Sequence, residues 1–257
     1  MRLTVVGCSG SVPGPASPAS CYLIEATDDA GKTWRIALDM GSGSLGALQR
    51  YCDPRQLDAV AITHLHPDHC ADLAALHVYL KHHPDGPTTV PVYAPFGASG
   101  RIDQLRGASS HSDVLTPIVW QASGEARIGP VLLTCEAVTH PVPAYALRIE
   151  GPSSKPTRAS AVIAYSGDTD VCDGLEVAAA GADLFVCEAT YLSTDDHDRG
   201  VHLTGADAGA TAESAGVEHL LLTHIPPWTD CANVLAEAVG TYAGKTTLAH
   251  PGQHFEV

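Results

Sequence analysis

The chain has 257 residues, 45% apolar and 17% charged, a globular composition with room for a substantial core in one large domain or two modest ones, and no linker divides it. Fourteen Lys and Arg against twenty-nine Asp and Glu give a formal charge of −15, which disfavours long nucleic acid as a partner because such binding relies on basic residues that neutralise phosphate. No apolar run is long enough to cross a bilayer and residues 1–7 lack the apolar region and cleavage site of a signal peptide, so no membrane association and a cytoplasmic location are expected.

Residues 2–7 and 20–26 read as strands joined by the turn-rich loop Cys8-Ser9-Gly10-Ser11-Val12-Pro13-Gly14. Residues 34–39 form a further strand, and Gly41-Ser42-Gly43-Ser44 opens a helix to about Arg50. The β-branched run 57–63 reads as a buried strand, 70–80 as a helix, 90–94 as a strand and 99–110 as a helix. Short strands dominate 114–150, most clearly 131–139 and 145–150, and the polar stretch 152–158 is a hairpin tip. Strands at 161–165, 182–187 and 220–223 then alternate with helices at 171–180, 204–215 and 231–242. Frequent strands early and alternation late predict an α/β chain of two mixed sheets packed face to face with helices outside. The eight cysteines are scattered without a C-x-x-C pair and read mostly as buried free thiols.

The densest chemistry is His64-Leu65-His66-Pro67-Asp68-His69, at the end of the strand 57–63. Four of its side chains can bind a metal, and alternation in a short loop offers His64 and His66 to one cation, Asp68 and His69 to another. Three more apolar runs end on a metal-competent residue: Val138-Thr139-His140, Tyr165-Ser166-Gly167-Asp168 and Leu222-Thr223-His224. Five histidines and two aspartates suit two divalent cations, with His64, His66 and His140 on one, Asp68, His69 and His224 on the other, and Asp168 giving one oxygen to each. Imidazole favours Zn2+, while the carboxylates leave Mn2+ or Fe open. Such a pair can hold a hydroxide between the ions and offset charge building on a phosphoryl or carbonyl group. Asp68 has a second possible role, holding or deprotonating that water.

These motifs, in this order, resemble the metallo-β-lactamase superfamily across nearly the whole chain, which implies a four-layer αβ/βα sandwich with a dinuclear site at one sheet edge. Cys187-Glu188-Ala189-Thr190-Tyr191, followed by His202-Leu203-Thr204-Gly205 and Ala206-Asp207-Ala208-Gly209, is similar to the phosphodiesterase branch that includes ribonuclease Z. The resemblance implies that Glu188 orients His202, and that His202 stabilises the pentacovalent phosphorus and helps protonate the leaving oxygen. The plainer reading of this stretch is a helix N-terminus capped by Thr204 with His202 merely exposed. Gly7-Cys8-Ser9-Gly10-Ser11, residues 46–50 and Leu220-Leu221-Leu222-Thr223-His224-Ile225-Pro226-Pro227-Trp228-Thr229 resemble the actinobacterial cyclic-nucleotide-degrading phosphodiesterases. That likeness implies hydrolysis of a 3′,5′-cyclic nucleotide, cAMP the usual substrate, to the 5′-monophosphate, and a homodimer is common in the branch.

Trp228, after two prolines, either stacks on a nucleobase or closes the rim of the core, and the second reading is preferred. Ser9 and Ser11 read as turn residues, and His82, His83, His111, His197, His219, His250 and His254 receive no role. A small phosphodiester is therefore the expected substrate. The alternatives are a transfer-RNA 3′ endonuclease, whose basic clamping arm has as its counterpart only residues 152–158 with one Lys and one Arg, and a metal-binding regulatory domain without catalysis. Thioester and lactam hydrolysis also occur on this fold, but the Glu188 and His202 pair favours phosphorus chemistry.

Overall fold

The computed structural model describes residues 1–121 and 123–257; Ala122, inside the strand-rich stretch, lies outside the described residues. The first half builds β1 (Arg2–Gly7), β2 (Cys21–Thr27), β3 (Thr33–Leu38), α1 (Ser44–Leu48), β4 (Ala59–Ala61), α2 (Pro67–Cys70), α3 (Leu73–His82), β5 (Val90–Ala94), α4 (Ala98–Arg106) and β6 (Leu115–Val119). The second builds β7 (Gly124–Ile128), β8 (Val131–Ala137), β9 (Tyr145–Pro152), β10 (Ser160–Tyr165), α5 (Asp173–Ala179), β11 (Leu184–Glu188), α6 (Gly205–Ser214), β12 (His219–Thr223), α7 (Cys231–Thr241), β13 (Lys245–Leu248) and β14 (His254–Glu256).

The strands form two seven-stranded sheets, ordered β14-β1-β2-β3-β4-β5-β6 and β13-β12-β11-β10-β9-β8-β7. Each is mixed in the same way. Antiparallel pairing joins β14 through β3 and β7 through β10, and parallel pairing joins β3 through β6 and β10 through β13. Parallel strands carry helical crossovers, so their buried runs are continuous rather than alternating: β4 and β11 are buried at every residue.

Three apolar clusters define the layers. The inner faces of both sheets meet through Leu3, Val5, Ile24, Leu38, Leu133, Ile149, Ile163 and Val186. The outer face of the first sheet packs Leu23, Val60, Ile62 and Val92 against Leu45, Leu73, Leu76 and Ile102 of its helices. The second sheet packs Phe185, Cys187, Leu220 and Leu222 against Leu175, Ala208 and Val234. This is the expected αβ/βα sandwich. No helix among the described residues is long and apolar enough to cross a membrane, and all eight cysteines are free, five of them buried.

Some boundaries differ from the sequence reading. The strand expected over 57–63 ladders only from Ala59 to Ala61, because the Ile62 carbonyl accepts from the Trp120 indole at 3.1 Å and the Thr63 amide donates to the Asp39 carboxylate at 2.8 Å. The helix expected over 70–80 is two helices. It breaks at Ala71 and Asp72, where the Asp72 amide donates to the Met40 carbonyl and its carboxylate accepts from the Leu45 amide. Asp68 and His69 therefore sit on a one-turn helix opened by Pro67, rather than in a loop. The strands β13 and β14 were not foreseen: Lys-Thr-Thr-Leu shows no alternation and β14 has three residues.

Candidate metal centre and active site

The carboxyl ends of β3, β4, β10, β11 and β12 all open on one edge of the sandwich, where parallel strands leave groups unclaimed by the ladder. There the structure brings together every residue singled out as a ligand. The donor atoms of His64, His66, His140 and Asp168 lie within 4.8 Å of one another, as do those of Asp68, His69, Asp168 and His224. Asp168 belongs to both groups, between the two sheets.

The arrangement fits a pair of cations. His66 Nδ1 faces both His64 Nε2 and His140 Nε2 at 3.1 Å. One nitrogen can donate to only one of them, so a proton cannot satisfy all three, whereas a cation can. The Asp168 Oδ1 atom is buried without a hydrogen-bond partner among the described residues, although His69 Nε2 is 3.1 Å away and His224 Nε2 3.4 Å. A buried acceptor facing imidazole nitrogens is what a shared ligand position provides. The rings are held by their other nitrogens: His140 Nδ1 donates to the Val201 carbonyl at 2.9 Å, His69 Nδ1 to Asp39 at 2.7 Å, and His224 Nδ1 contacts Thr190 Oγ1 at 3.0 Å. Such bonds fix the tautomer that leaves Nε2 toward the cluster.

Electrostatics divide the cluster. Burial, then neighbouring His69, hold His64 well below the ordinary histidine range. Burial also lowers His66 and His140, outweighing Asp168. These three are neutral imidazoles, the form that ligates. At the other group, burial opposes the charged ring, but the Asp168 and Asp39 carboxylates raise His69 well above its usual value. Burial likewise works against ionised Asp68 and Asp168, yet the surrounding histidines hold both below the usual carboxylate range. A divalent cation held here would replace the proton that His69 otherwise carries.

Beside the ligands, Glu188 Oε1 accepts from His202 Nδ1 at 2.9 Å and from the Thr169 amide at 2.8 Å, and Glu188 Oε2 accepts from Thr190 Oγ1 at 2.9 Å. Burial disfavours the charged ring of His202, but the Glu188 carboxylate outweighs it and pushes the pKa up to about 9. Thr204 does cap α6, in a reciprocal pair with Asp207, so the capping and dyad readings of this stretch both describe it. His202 is not merely exposed: it is half-buried against Glu188 and opens on a cavity of about 610 Å3 that Tyr191, Asp195 and Trp228 also line. Trp228 is 70% exposed, which corrects the preferred reading of it as a rim of the core. Ser9 is a turn residue, its hydroxyl donating to the Val12 carbonyl, while the Ser11 amide lies 3.4 Å from His224 Nε2.

The sequence reading missed Asp39, Thr190 and Tyr191. Asp39 follows a strand without any motif, and only its φ of 57° marks it as special; His224 shares that left-handed conformation at 55°. Two glycines let the chain approach closely here. A Cβ on Gly10 would sit 2.1 Å from the His224 carbonyl oxygen, and one on Gly41 would sit 1.9 Å from that of Asp68.

Residues 35–225 match the β-lactamase superfamily domain. The chain is 40% identical to an uncharacterized protein of Mycobacterium tuberculosis, over 100% of this chain and 92% of that one. It is 30% identical to the probable metallo-hydrolase YhfI of Bacillus subtilis over 98% of each chain, and the crystal structure of YhfI superposes with a TM-score of 0.85 over 99% of both. Ribonuclease Z of Streptomyces coelicolor is 27% identical over 96% of this chain and 95% of its own. With that match over most of its length and a histidine and aspartate cluster suited to divalent metal, the chain belongs to the β-lactamase superfamily and is one of its metallo-hydrolases.

Proposed function

We propose that the protein is a dinuclear phosphodiesterase that hydrolyses a small phosphodiester, a 3′,5′-cyclic nucleotide such as cAMP, to the 5′-monophosphate. The observation that carries this reading is the Glu188–His202 pair, 2.9 Å apart, between the ligand cluster and an open cavity. Two divalent cations, Zn2+ by the histidine count, would be held by His64, His66 and His140 and by Asp68, His69 and His224 with Asp168 shared, and would supply Lewis acidity and a lowered pKa for bound water.

The chain's own groups do the rest. Asp68, ionised and only partly committed through Oδ2 to His224 at 3.1 Å, takes the proton of the attacking water. As water adds to phosphorus the P–O3′ bond breaks, and His202, protonated at neutral pH and with Nδ1 tied to Glu188, gives its proton from Nε2 to O3′. The same ring, cationic in the transition state, offsets charge on the phosphoryl oxygens.

A transfer-RNA endonuclease is the second reading, favoured by the ribonuclease Z likeness. Against it, the hairpin tip between β9 and β10 has only Lys155 and Arg158, and both pair with acidic side chains, Arg158 with Asp183 and Glu218 and Lys155 with Glu218. The test is hydrolysis by Zn2+- or Mn2+-loaded protein of cyclic nucleotides, bis(p-nitrophenyl) phosphate, a dinucleotide and precursor tRNA. Stoichiometric metal with no turnover of any diester refutes the proposal, and tight, salt-sensitive cleavage of precursor tRNA reverses the ranking.

A further inference from the structure

The cavity beside His202 has two features that the hydrolytic chemistry leaves unused. One is Trp228, an exposed indole on a loop stiffened by Pro226 and Pro227 and closed by the Thr229 amide donating to the Pro226 carbonyl at 2.9 Å. A large aromatic kept out of the core on a rigid loop, at the mouth of a reactive site, presents a face on which a planar ring can stack. The other is charge. Asp195, Asp196 and Asp230 line the cavity and no Lys or Arg does so among the described residues. Asp230 Oδ1 caps α7 through the Ala232 amide and Asp195 Oδ2 accepts from the Leu192 amide, so Asp195 Oδ1, Asp230 Oδ2 and the exposed Asp196 carboxylate remain as acceptors beside the cavity.

Carboxylates repel a phosphate and accept from N–H groups. They therefore orient a nucleotide: its phosphodiester goes to the ligand cluster and His202, away from these carboxylates, and its base to the acidic and aromatic side. We propose that this cavity is the nucleobase subsite, with Trp228 stacking on the base and Asp195 and Asp196 accepting from its exocyclic amine, so that the enzyme selects amino-bearing bases. The inference rests on the phosphodiesterase reading and adds the part of the substrate that is recognised.

The test compares 3′,5′-cAMP with the 3′,5′-cyclic phosphate of purine riboside, which has the same ring without the amine, using metal-loaded protein and bis(p-nitrophenyl) phosphate as a base-free diester. The expected wild-type preference for cAMP in kcat/KM is about tenfold. Replacing Trp228→Ala raises KM for both cyclic nucleotides about tenfold, a loss carried by KM rather than kcat, and Trp228→Phe restores most of it. The double variant Asp195→Ala, Asp196→Ala brings the preference for the amine close to unity. Equilibrium binding of the products, 5′-AMP against purine riboside 5′-monophosphate, follows the same order. Cyclic-nucleotide turnover with equal rates for the two bases, or a KM indifferent to Trp228→Ala, overturns the inference and leaves the phosphodiesterase reading standing. Turnover of the base-free diester with none of either cyclic nucleotide overturns the cyclic-nucleotide reading and the inference together.

Discussion

Replacing Asp39→Asn is the sharpest probe of how the ligand cluster is held. The Asp39 carboxylate, fully buried, accepts four hydrogen bonds: from the Thr63 amide at 2.8 Å and hydroxyl at 2.9 Å, the Tyr165 hydroxyl at 2.8 Å and His69 Nδ1 at 2.7 Å. Asparagine has the same shape and tolerates the left-handed backbone, but its NH2 faces donors, so at least one bond is lost and the others lose their charge. A hydrogen bond to a charged group contributes about 1.5–3 kcal/mol, so the substitution costs about 2–4 kcal/mol of stability, a fall in Tm of about 5–10 °C for a chain of this size. His69 loses the partner that fixes its ring, and the cation it shares with Asp68 and His224 binds about 10- to 100-fold more weakly. Competition with a graded chelator, metal analysis and thermal melts read both effects. Two ions held with wild-type affinity and a Tm within about 1 °C of wild type would show that Asp39 positions nothing.

Other predictions separate the remaining roles. Asp168→Ala lowers metal content and activity together, because both ligand groups lose an oxygen, whereas His202→Ala keeps the metal and lowers kcat by about 10²- to 10⁴-fold; equal metal loss in both variants refutes the division. Chelation lowers Tm by an amount that grows with the logarithm of metal concentration, about 2.7 kcal/mol of stability at one hundred times Kd, and a Tm indifferent to chelator refutes a coupled site. Gly10→Ala forces the backbone away from His224 and costs about 1–3 kcal/mol with weakened metal binding, while Gly46→Ala, in α1 with nothing within 4 Å of the new Cβ, stabilises by about 0.4–1 kcal/mol; melts and metal titration of the pair check the contrast. Burial, then the Lys245 ammonium, lowers the His219 pKa from 6.5 to about 4, so its contribution is present above pH 6.5 and is lost as pH falls toward 4. Discounted for its half-exposed position it is about 1–2 kcal/mol, and His219→Gln flattens the melting profile over that window.

The sandwich and the histidine and aspartate cluster were legible because both are written in local patterns. Apolar runs ending in His or Asp mark strand ends, and the four such ends in this chain, those carrying the His64 loop, His140, Asp168 and His224, converge because the strands before them run in one direction within each sheet. What escaped is what depends on long-range partners. Asp39 looks like any residue after a strand until Tyr165 and His69, 126 and 30 positions away, reach it. Nothing in the sequence marks Trp228 as exposed, since two prolines before an indole suit a core rim as well as a cavity wall. The break between α2 and α3 was hidden for the same reason: the bonds from Asp72 to Met40 and Leu45 replace helical ones, and apolar periodicity runs straight through them.

The histidine and aspartate cluster is divided between the halves of the fold, which is why it is buried. His64, His66, Asp68 and His69 hang from the first sheet; His140, Asp168 and His224 hang from the second. Each of the two donor groups draws on both sheets, so the inter-sheet core of Leu38, Tyr165 and Val186 determines the spacing of the donors. Packed interiors deform little, which keeps His66 Nδ1 at 3.1 Å from both His64 Nε2 and His140 Nε2 and leaves Asp168 Oδ1 without a hydrogen bond among the described residues. Glu188 accepts from the Thr169 amide and the Thr190 hydroxyl, so its pair with His202 is positioned by groups that lie beside the histidine and aspartate cluster rather than in it.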